Sequence, residues 1–301
     1  LAKRGYVSHQ SGKWWQGHYS RGGFTHGMTH GDPKRRGRHG DEGLKIGREG
    51  MQPIFDFITD AGDKPFFVWY APFLPHTPHN PPKRLFDKYT KKTESKFIAR
   101  YWAMCEWFDE TCGQLLDHLD EKKLAEETLV LYVTDNGWIQ RADNGRYAPR
   151  SKRSPYDGGL RTPIMIRWPG KVQPGERSEL ANSIDLAPTI LKACGLESTD
   201  AMQGIDLLND TALAKRKSTH GACYLHNAVD IHKPSANLTH RWLINGNWKL
   251  ILPHKPNTNA AAEPELYNLT KDPHEHQNLA KTKPGQAKRL AKRLNKLLPE
   301  S

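Results

Sequence analysis

The sequence predicts an α/β protein: a mixed, mostly parallel sheet flanked by helices, with a smaller C-terminal antiparallel sheet carrying a helix of its own. Three observations carry the prediction. Thr128-Leu129-Val130-Leu131-Tyr132-Val133 has no polar alternation, the pattern of a strand buried on both faces inside a mostly parallel sheet. Strand-like and helix-like stretches alternate over the first two thirds of the chain, the order of a wound α/β sheet. Near the end, Arg241-Trp242-Leu243-Ile244 and Trp248-Lys249-Leu250-Ile251-Leu252 flank Asn245-Gly246-Asn247, a hairpin signal.

Residues 1–50 are polar and punctuated by Gly12, Gly17, Gly22, Gly23, Gly27 and Gly31. Trp14, Trp15, His18, His26 and His30 make this stretch too aromatic for a disordered tail, and the glycines break any helix. A loop wrapped against a rigid body is expected. Met51, Ile54, Phe55, Phe57 and Ile58 mark a short amphipathic helix between Gly50 and Asp60. Lys64-Pro65 ends that connection, and Phe66 to Ala71 forms the next buried strand. It runs into Pro72, Pro75, Pro78, Pro81 and Pro82, which forbid regular structure and hold His76 and His79 on a stiff loop.

A long helix follows, with Phe97, Tyr101, Cys105, Phe108, Cys112, Leu115, Leu116 and Leu119 on one stripe. After the Thr128 strand comes a polar loop to about Pro155, then a strand from Pro163 to Trp168 closed by Pro169-Gly170. Ser183 to Ala193 is a helix with capping residues at its start and Gly195 as its stop. The character shifts near residue 216, so the expected domains are residues 1–215, the larger α/β body, and residues 216–301, a small α+β subdomain.

The net charge of +12 lies wholly at the two ends. Residues 1–50 carry ten Lys/Arg against four acids, and residues 281–301 carry seven against one. In the tail, Leu290, Leu294, Leu297 and Leu298 recur at helical spacing, so its cations form the wet face of an amphipathic helix. No aromatic platform accompanies them, and no nucleic-acid contact is expected. No apolar run approaches the roughly 20 residues needed to span a bilayer. Cys105 and Cys112, seven apart on a helix, lie about 10 Å apart along its axis, too far for a disulfide. Buried free thiols are expected, with a pairing of Cys194 or Cys223 left open. The chain starts at Leu1 without a leader, and an internal fragment of a longer protein is expected.

Four loop segments carry the chemistry. Asp135 and Asn136 sit at the carboxyl end of the Thr128 strand, where ligands collect in such sheets, and offer a carboxylate beside an amide carbonyl, a pair suited to a hard cation. Asp-Asn-Gly is also an ordinary turn. Gly12-Lys13-Trp14, the His76/His79 loop and Lys152 ahead of Tyr156-Asp157-Gly158-Gly159 supply cations and imidazoles. One cleft lined by these groups would suit a tetrahedral oxyanion.

With these stretches in view the chain resembles the type I sulfatases of the alkaline phosphatase superfamily. The resemblance rests on Gly-Tyr-Val-Ser and Ser-Gly-Lys-Trp, Lys-Pro-Phe-Phe-Val-Trp-Tyr-Ala-Pro with His-Thr-Pro-His-Asn-Pro-Pro, Val-Thr-Asp-Asn-Gly, and Tyr-Asp-Gly-Gly-Leu-Arg-Thr-Pro. It continues through Arg-Trp-Pro-Gly-Lys, Ser-Ile-Asp-Leu-Ala-Pro-Thr-Ile-Leu, Gly-Ile-Asp-Leu-Leu and Glu-Leu-Tyr-Asn-Leu-Thr-Lys-Asp-Pro, to about residue 280. The resemblance implies an alkaline phosphatase-like fold and hydrolysis of sulfuric esters. Asp135 and Asn136 would be ligands of one calcium ion per site. Lys13 would stabilise the alkoxide of the nucleophile, Lys152 would hold a sulfate oxygen and the bridging oxygen, and His79, preferred to His76, would be the acid toward the leaving alcohol.

Two departures from the family pattern stand out. Trp15 occupies the place of the usual histidine after Gly-Lys-Trp, and His18, His26 or His30 could replace it. The formylglycine motif and the remaining calcium aspartates lie upstream of this segment in the family, so the chain alone is expected to be inactive. A sulfated carbohydrate is the implied substrate, with Trp14 and Trp15 available either to stack on sugars or to pack in the core. Family analogy implies a periplasmic or extracellular location. The alternatives are a phosphomonoesterase or phosphodiesterase of the same superfamily, or a noncatalytic protein that binds sulfated glycans.

Overall fold

The structure is a computed structural model that describes residues 1–37 and 39–299. The chain forms two compact units. The first comprises Leu1–Leu129, Gln140–Gly145 and Trp168–Lys171; the second comprises Val130–Ile139, Arg146–Arg167 and Val172–Ser301.

A three-stranded parallel sheet organises the first unit, with β1 (Val7–Gly12) between β2 (His26–Gly27) and β3 (Phe66–Ala71). Val7 pairs with Phe66, and the register runs through to Gly12 opposite Ala71. β3 was legible; β1 was not, because it lies in the stretch expected to be a loop. Its residues from Ser8 to Gly12 are buried although most are polar. Burial of Ser8, Gln10 and Ser11 is sustained because their polar groups are bonded, whereas the buried His9 Nδ1 has no hydrogen-bond partner among the described residues. Thr25 Oγ1 donates to Ser8 O at 2.9 Å, Gln10 Oε1 accepts from Thr29 N at 3.2 Å, and Ser11 Oγ donates to Trp69 O at 3.0 Å. β3 is less buried than its sequence implies, with Trp69 42% exposed, because it lies at the sheet edge.

Helix α1 (Gln52–Ala61) buries Ile54, Phe57, Ile58 and Ala61, the expected amphipathic face. A helix that the sequence did not announce, α2 (Lys83–Thr90), follows the proline loop. The long helix α3 (Lys96–Glu121) begins at Ser95, whose Oγ accepts from Ile98 N at 3.3 Å. Its buried residues are Ala99, Ala103, Met104, Thr111 and Leu119, so the seam is rotated from the expected stripe. Small side chains occupy the closest approach, while Phe97, Tyr101, Cys105 and Phe108 border it half-buried.

In the second unit β4 (Val130–Val133) pairs antiparallel with β5 (Ile164–Arg167). This corrects the expectation of a strand buried on both faces among parallel neighbours. A two-stranded ribbon leaves a face uncovered, and Val133 and Met165 are exposed. Helix α4 (Asp157–Leu160) follows the Lys152 loop. Ahead of α5 (Leu186–Ala193), Asn182 and Asp185 form a capping box, and the short α6 (Asp210–Lys215) leads into the C-terminal sheet.

That sheet is an antiparallel meander of β6 (Ser218–Tyr224), β7 (Leu238–Asn245), β8 (Trp248–Pro253) and β9 (Glu265–Asn268) in sequence order. The expected hairpin is β7–β8, closed by Gly246-Asn247 with Gly246 at φ +55°. Helix α7 (Pro284–Leu297) lays Leu290 and Leu294 against Leu243, Leu250 and Leu266, all fully buried, while its lysines and arginines face solvent as expected. All four cysteines are free thiols. Among the described residues no helix is long and apolar enough to cross a membrane.

Candidate active site

The expected site residues fall into two sets, one on each unit. Lys13, His76 and His79 belong to the first; Asp135, Asn136 and Lys152 belong to the second.

In the first unit Lys13 leaves the carboxyl end of β1, the position where open α/β sheets present ligand-binding groups. Gly12 permits the exit: its φ is +85°, and a Cβ there would sit 1.8 Å from Ala71 O. Lys13 N donates to Ala71 O at 2.6 Å. Lys13 Nζ lies 5.6 Å from the centre of the Phe73 ring, which stacks on His76 with centroids 4.8 Å apart. Lys13 and the histidine loop therefore meet through Phe73. His79 lies three residues further along, its ring 5.6 Å from that of Tyr101. Burial, and then the neighbouring His76, Arg48 and Arg100, hold the His79 imidazole below the ordinary histidine pKa.

Arg48 was not anticipated. Its Nη1 donates to Asn80 Oδ1 at 2.6 Å, and its Nη2 donates to His76 O at 3.0 Å and Pro78 O at 3.2 Å. The guanidinium also lies 5.9 Å from the Phe73 ring and 5.6 Å from that of Trp107. An arginine between Gly47 and Glu49 carries no signal for this, because its partners are main-chain carbonyls some 30 residues away.

The histidines considered as replacements at Trp15 each have another engagement. His18 caps a turn through Ser20 N, and His26 contacts Thr25 Oγ1 at 2.9 Å. His30 Nδ1 accepts from Asp32 N at 3.0 Å and stands 3.5 Å from the buried Asp41 carboxylate. The two tryptophans separate: Trp14 packs edge-on against Phe24 at 5.5 Å, whereas Trp15 is 47% exposed.

In the second unit the Asp135 turn and the Lys152 loop are joined through the main chain. Gly137 N donates to Gly159 O at 2.9 Å, and Ile139 N donates to Ser151 Oγ at 2.7 Å. The chains approach so closely that a Cβ on Gly137 would lie 2.1 Å from Gly158 O, and one on Gly159 would lie 2.2 Å from Ser151 O. The glycines that read as turn punctuation are thus demanded by contact. Lys152 Nζ lies 5.6 Å from the Trp138 ring. Asp157, beneath this stack, is tied to the fully buried Lys249, whose Nζ reaches Asp157 Oδ1 at 2.7 Å and Glu275 Oε1 at 2.6 Å. Beside it opens a cleft of about 420 Å³ lined in part by Arg150, Tyr156, Arg161, His274 and His276.

Asp135 Oδ1 accepts from Asn136 N at 2.9 Å, and Asn136 Nδ2 donates to Gly137 O at 2.9 Å, which leaves the Asn136 amide oxygen as its donor toward a cation. Carboxylate and amide oxygens fit a hard divalent ion. Two such groups fall short of the 6–8 oxygens that calcium takes. Among the described residues no group of three or more His, Cys, Asp or Glu side chains could hold a metal by itself.

Comparison with known proteins identifies the family. The family model described as Sulfatase matches residues 1–196, and that described as N-sulphoglucosamine sulphohydrolase, C-terminal, matches residues 145–301. Arylsulfatase K of Xenopus laevis is 25% identical over 229 residues, which cover 72% of this chain and 41% of that protein. Human N-acetylgalactosamine-6-sulfatase is 30% identical over 253 residues, covering 69% of this chain and 46% of that protein. The chain spans less than half the length of these curated relatives. A solved structure of a protein in complex with its substrate D-glucosamine-2-N,6-O-disulfate shares the fold, with a TM-score of 0.72 at 20% identity over 100% of this chain and 81% of that one. Matched by these models from end to end, the chain belongs to the sulfatase family.

Proposed function

We propose that the full-length protein is a sulfuric ester hydrolase acting on sulfated carbohydrate. The observation that carries this is the family match together with the Asp135-Asn136-Gly137 turn locked by its main chain to the loop of Lys152. Carbohydrate as substrate is supported by relatives that act on sulfated sugars, an N-acetylgalactosamine-6-sulfatase among them, and by the disulfated glucosamine of the solved complex. A periplasmic or extracellular location, and a boundary between residues 215 and 216 dividing the catalytic body from an α+β subdomain, belong to the same proposal.

Each residue has a task set by its chemistry. Lys152 places an ammonium against a sulfate oxygen and the bridging oxygen, offsetting charge that grows there as the S–O bond breaks. His79 delivers a proton to the bridging oxygen, so that the carbohydrate departs as an alcohol. Its lowered pKa makes it the stronger acid once protonated, and an anionic sulfate nearby favours that protonation. Lys13 holds a cation at the end of β1 for the developing alkoxide. Asp135 and Asn136 would contribute two oxygens to a calcium site, and a bound ion would supply Lewis-acid charge to the sulfate.

The test is release of inorganic sulfate from a sulfated oligosaccharide by the full-length protein, with and without chelator. Sulfate release abolished by Asp135→Ala is the expected result. Faster cleavage of phosphate esters would move the assignment to phosphoryl transfer, and tight glycan binding without turnover would make the protein a noncatalytic binder.

A further inference from the structure

We propose that Arg48 is the positioning residue of the His76–Asn80 loop, holding His79 where it can pass its proton to the leaving alcohol; this rests on the sulfate-ester reading above. The loop is proline-broken, and prolines donate no main-chain hydrogen bonds; within it Asn80 N donates to Pro78 O at 3.1 Å, and His76 O takes its donor from outside. Arg48 is that donor. One guanidinium face meets His76 O, Pro78 O and Asn80 Oδ1, which bracket His79 on both sides along the chain. The fork geometry of arginine allows three acceptors to be held at once, a task a lysine ammonium does less rigidly.

The guanidinium is itself fixed from two sides, by Phe73 at 5.9 Å and Trp107 at 5.6 Å, within cation–π range. Phe73 is also the ring under Lys13 Nζ and against His76. Arg48 thereby ties the end of β1, the histidine loop and α3 into one arrangement. Among the described residues no carboxylate pairs with Arg48, and its buried Nε makes no hydrogen bond. After burial, the largest cause, His76, Arg48 and Arg100 oppose protonation of the His79 imidazole, while Tyr101 packs on its ring.

The role separates from general structural support by its dependence on the leaving group. An aryl sulfate such as 4-nitrophenyl sulfate expels a good leaving group that needs no acid, whereas a sugar sulfate needs the proton. In the full-length protein Arg48→Met is expected to lower kcat on a sulfated sugar by on the order of 10²-fold, the scale of a general acid, with a much smaller loss on the aryl sulfate. Free guanidinium is expected to restore part of the loss in Arg48→Ala. Equal losses on both substrates, or none on either, would overturn the proposal.

A second readout does not need turnover. Titration of the His79 ring protons by NMR is expected to move upward in pH in Arg48→Met and to stay near the wild-type value in Arg48→Lys. An unmoved titration in the methionine variant counts against Arg48. Should wild-type protein cleave neither ester, the sulfate-ester reading fails on its own, and the titration still decides whether Arg48 governs His79. Where Arg48→Met does not fold, Arg48→Lys carries the kinetic comparison, with a loss confined to the sugar sulfate expected and equal losses overturning the proposal.

Discussion

In the first unit the loop that bears His79 is held by side chains: a guanidinium reaches across to two carbonyls and an amide, and a phenyl ring joins it to Lys13. In the second unit the turn that bears Asp135 is held by main chain: Gly137, Gly158 and Gly159 pack so closely on neighbouring carbonyls that no side chain fits. The first arrangement depends on the presence of one residue, the second on the absence of three Cβ atoms. The proton donor proposed at His79 would have to adjust to substrate, and a clamp made of rotatable bonds allows small shifts. A metal held by Asp135 and Asn136 as proposed would need fixed positions, and interlocked backbone gives the stiffer support.

The largest effect expected from this contrast is at Gly137. Gly137→Ala places a methyl 2.1 Å from Gly158 O, and because the obstacle is backbone rather than a flexible side-chain tip, the two loops must part. A loss of about 1–3 kcal/mol in urea denaturation is expected from such overpacking. Displacement of Asp135 relative to Lys152 by about 1 Å would cost on the order of 10²-fold in turnover. Gly23→Ala is the control: it meets nothing within 4 Å, so only the strain of φ +78° remains, and a smaller cost confined to stability is expected. Equal effects of the two substitutions would show that close approach is not what fixes the Asp135 turn.

How far the sequence disclosed this contrast depends on what kind of force holds each part. β3, the β7–β8 hairpin, α1 and the wet face of α7 were legible because apolar periodicity and turn residues determine them. β1 was illegible because Val7-Ser8-His9-Gln10-Ser11-Gly12 is polar, and its burial is sustained by hydrogen bonds to Thr25, Thr29 and β3 that no local pattern announces. The α3 stripe was misphased because hydrophobicity scales favour the aromatic residues over Ala99 and Ala103. The Asp-Asn-Gly segment was visible as a turn and Tyr156-Asp157-Gly158-Gly159 as a loop, although their mutual contact was not. Arg48 gave no signal at all, since its role lies in distant carbonyls.

Confined to the first unit, and showing only below neutral pH, is the pH dependence of stability through His9. This residue of β1 is 5% exposed, and burial, with His26 adding its charge, pulls its pKa from 6.5 to about 4. The unfolded chain binds a proton near pH 6.5 that the folded protein refuses until about pH 4, so the stabilisation is complete above 6.5 and lost as pH falls through that window. The slope contributed is at most about 1.4 kcal/mol per pH unit, the value for one proton. Unfolding free energies measured from pH 7.5 to 4 are expected to show this slope in the wild type and a shallower one in His9→Gln. His79, His118, His220 and His240 are lowered in the same direction, so the slope should diminish without vanishing. An unchanged slope would mean that His9 takes up its proton as readily folded as unfolded.

The smallest effect expected lies at the two tryptophans after Lys13, and it sharpens the contrast within the first unit itself. Trp14 packs on Phe24 and against Gly22, so its removal should lower stability and disturb every substrate alike. Trp15 is 47% exposed, with His39 at 5.9 Å beside its ring, and its removal should leave the unfolding curve unchanged. If the exposed face stacks on a sugar, Trp15→Ala raises KM for a sulfated oligosaccharide by the equivalent of about 0.5–1.5 kcal/mol, the range of ring stacking. KM for 4-nitrophenyl sulfate, which has no sugar to stack, should not move. A parallel change with both substrates would place Trp15 with Trp14 as packing.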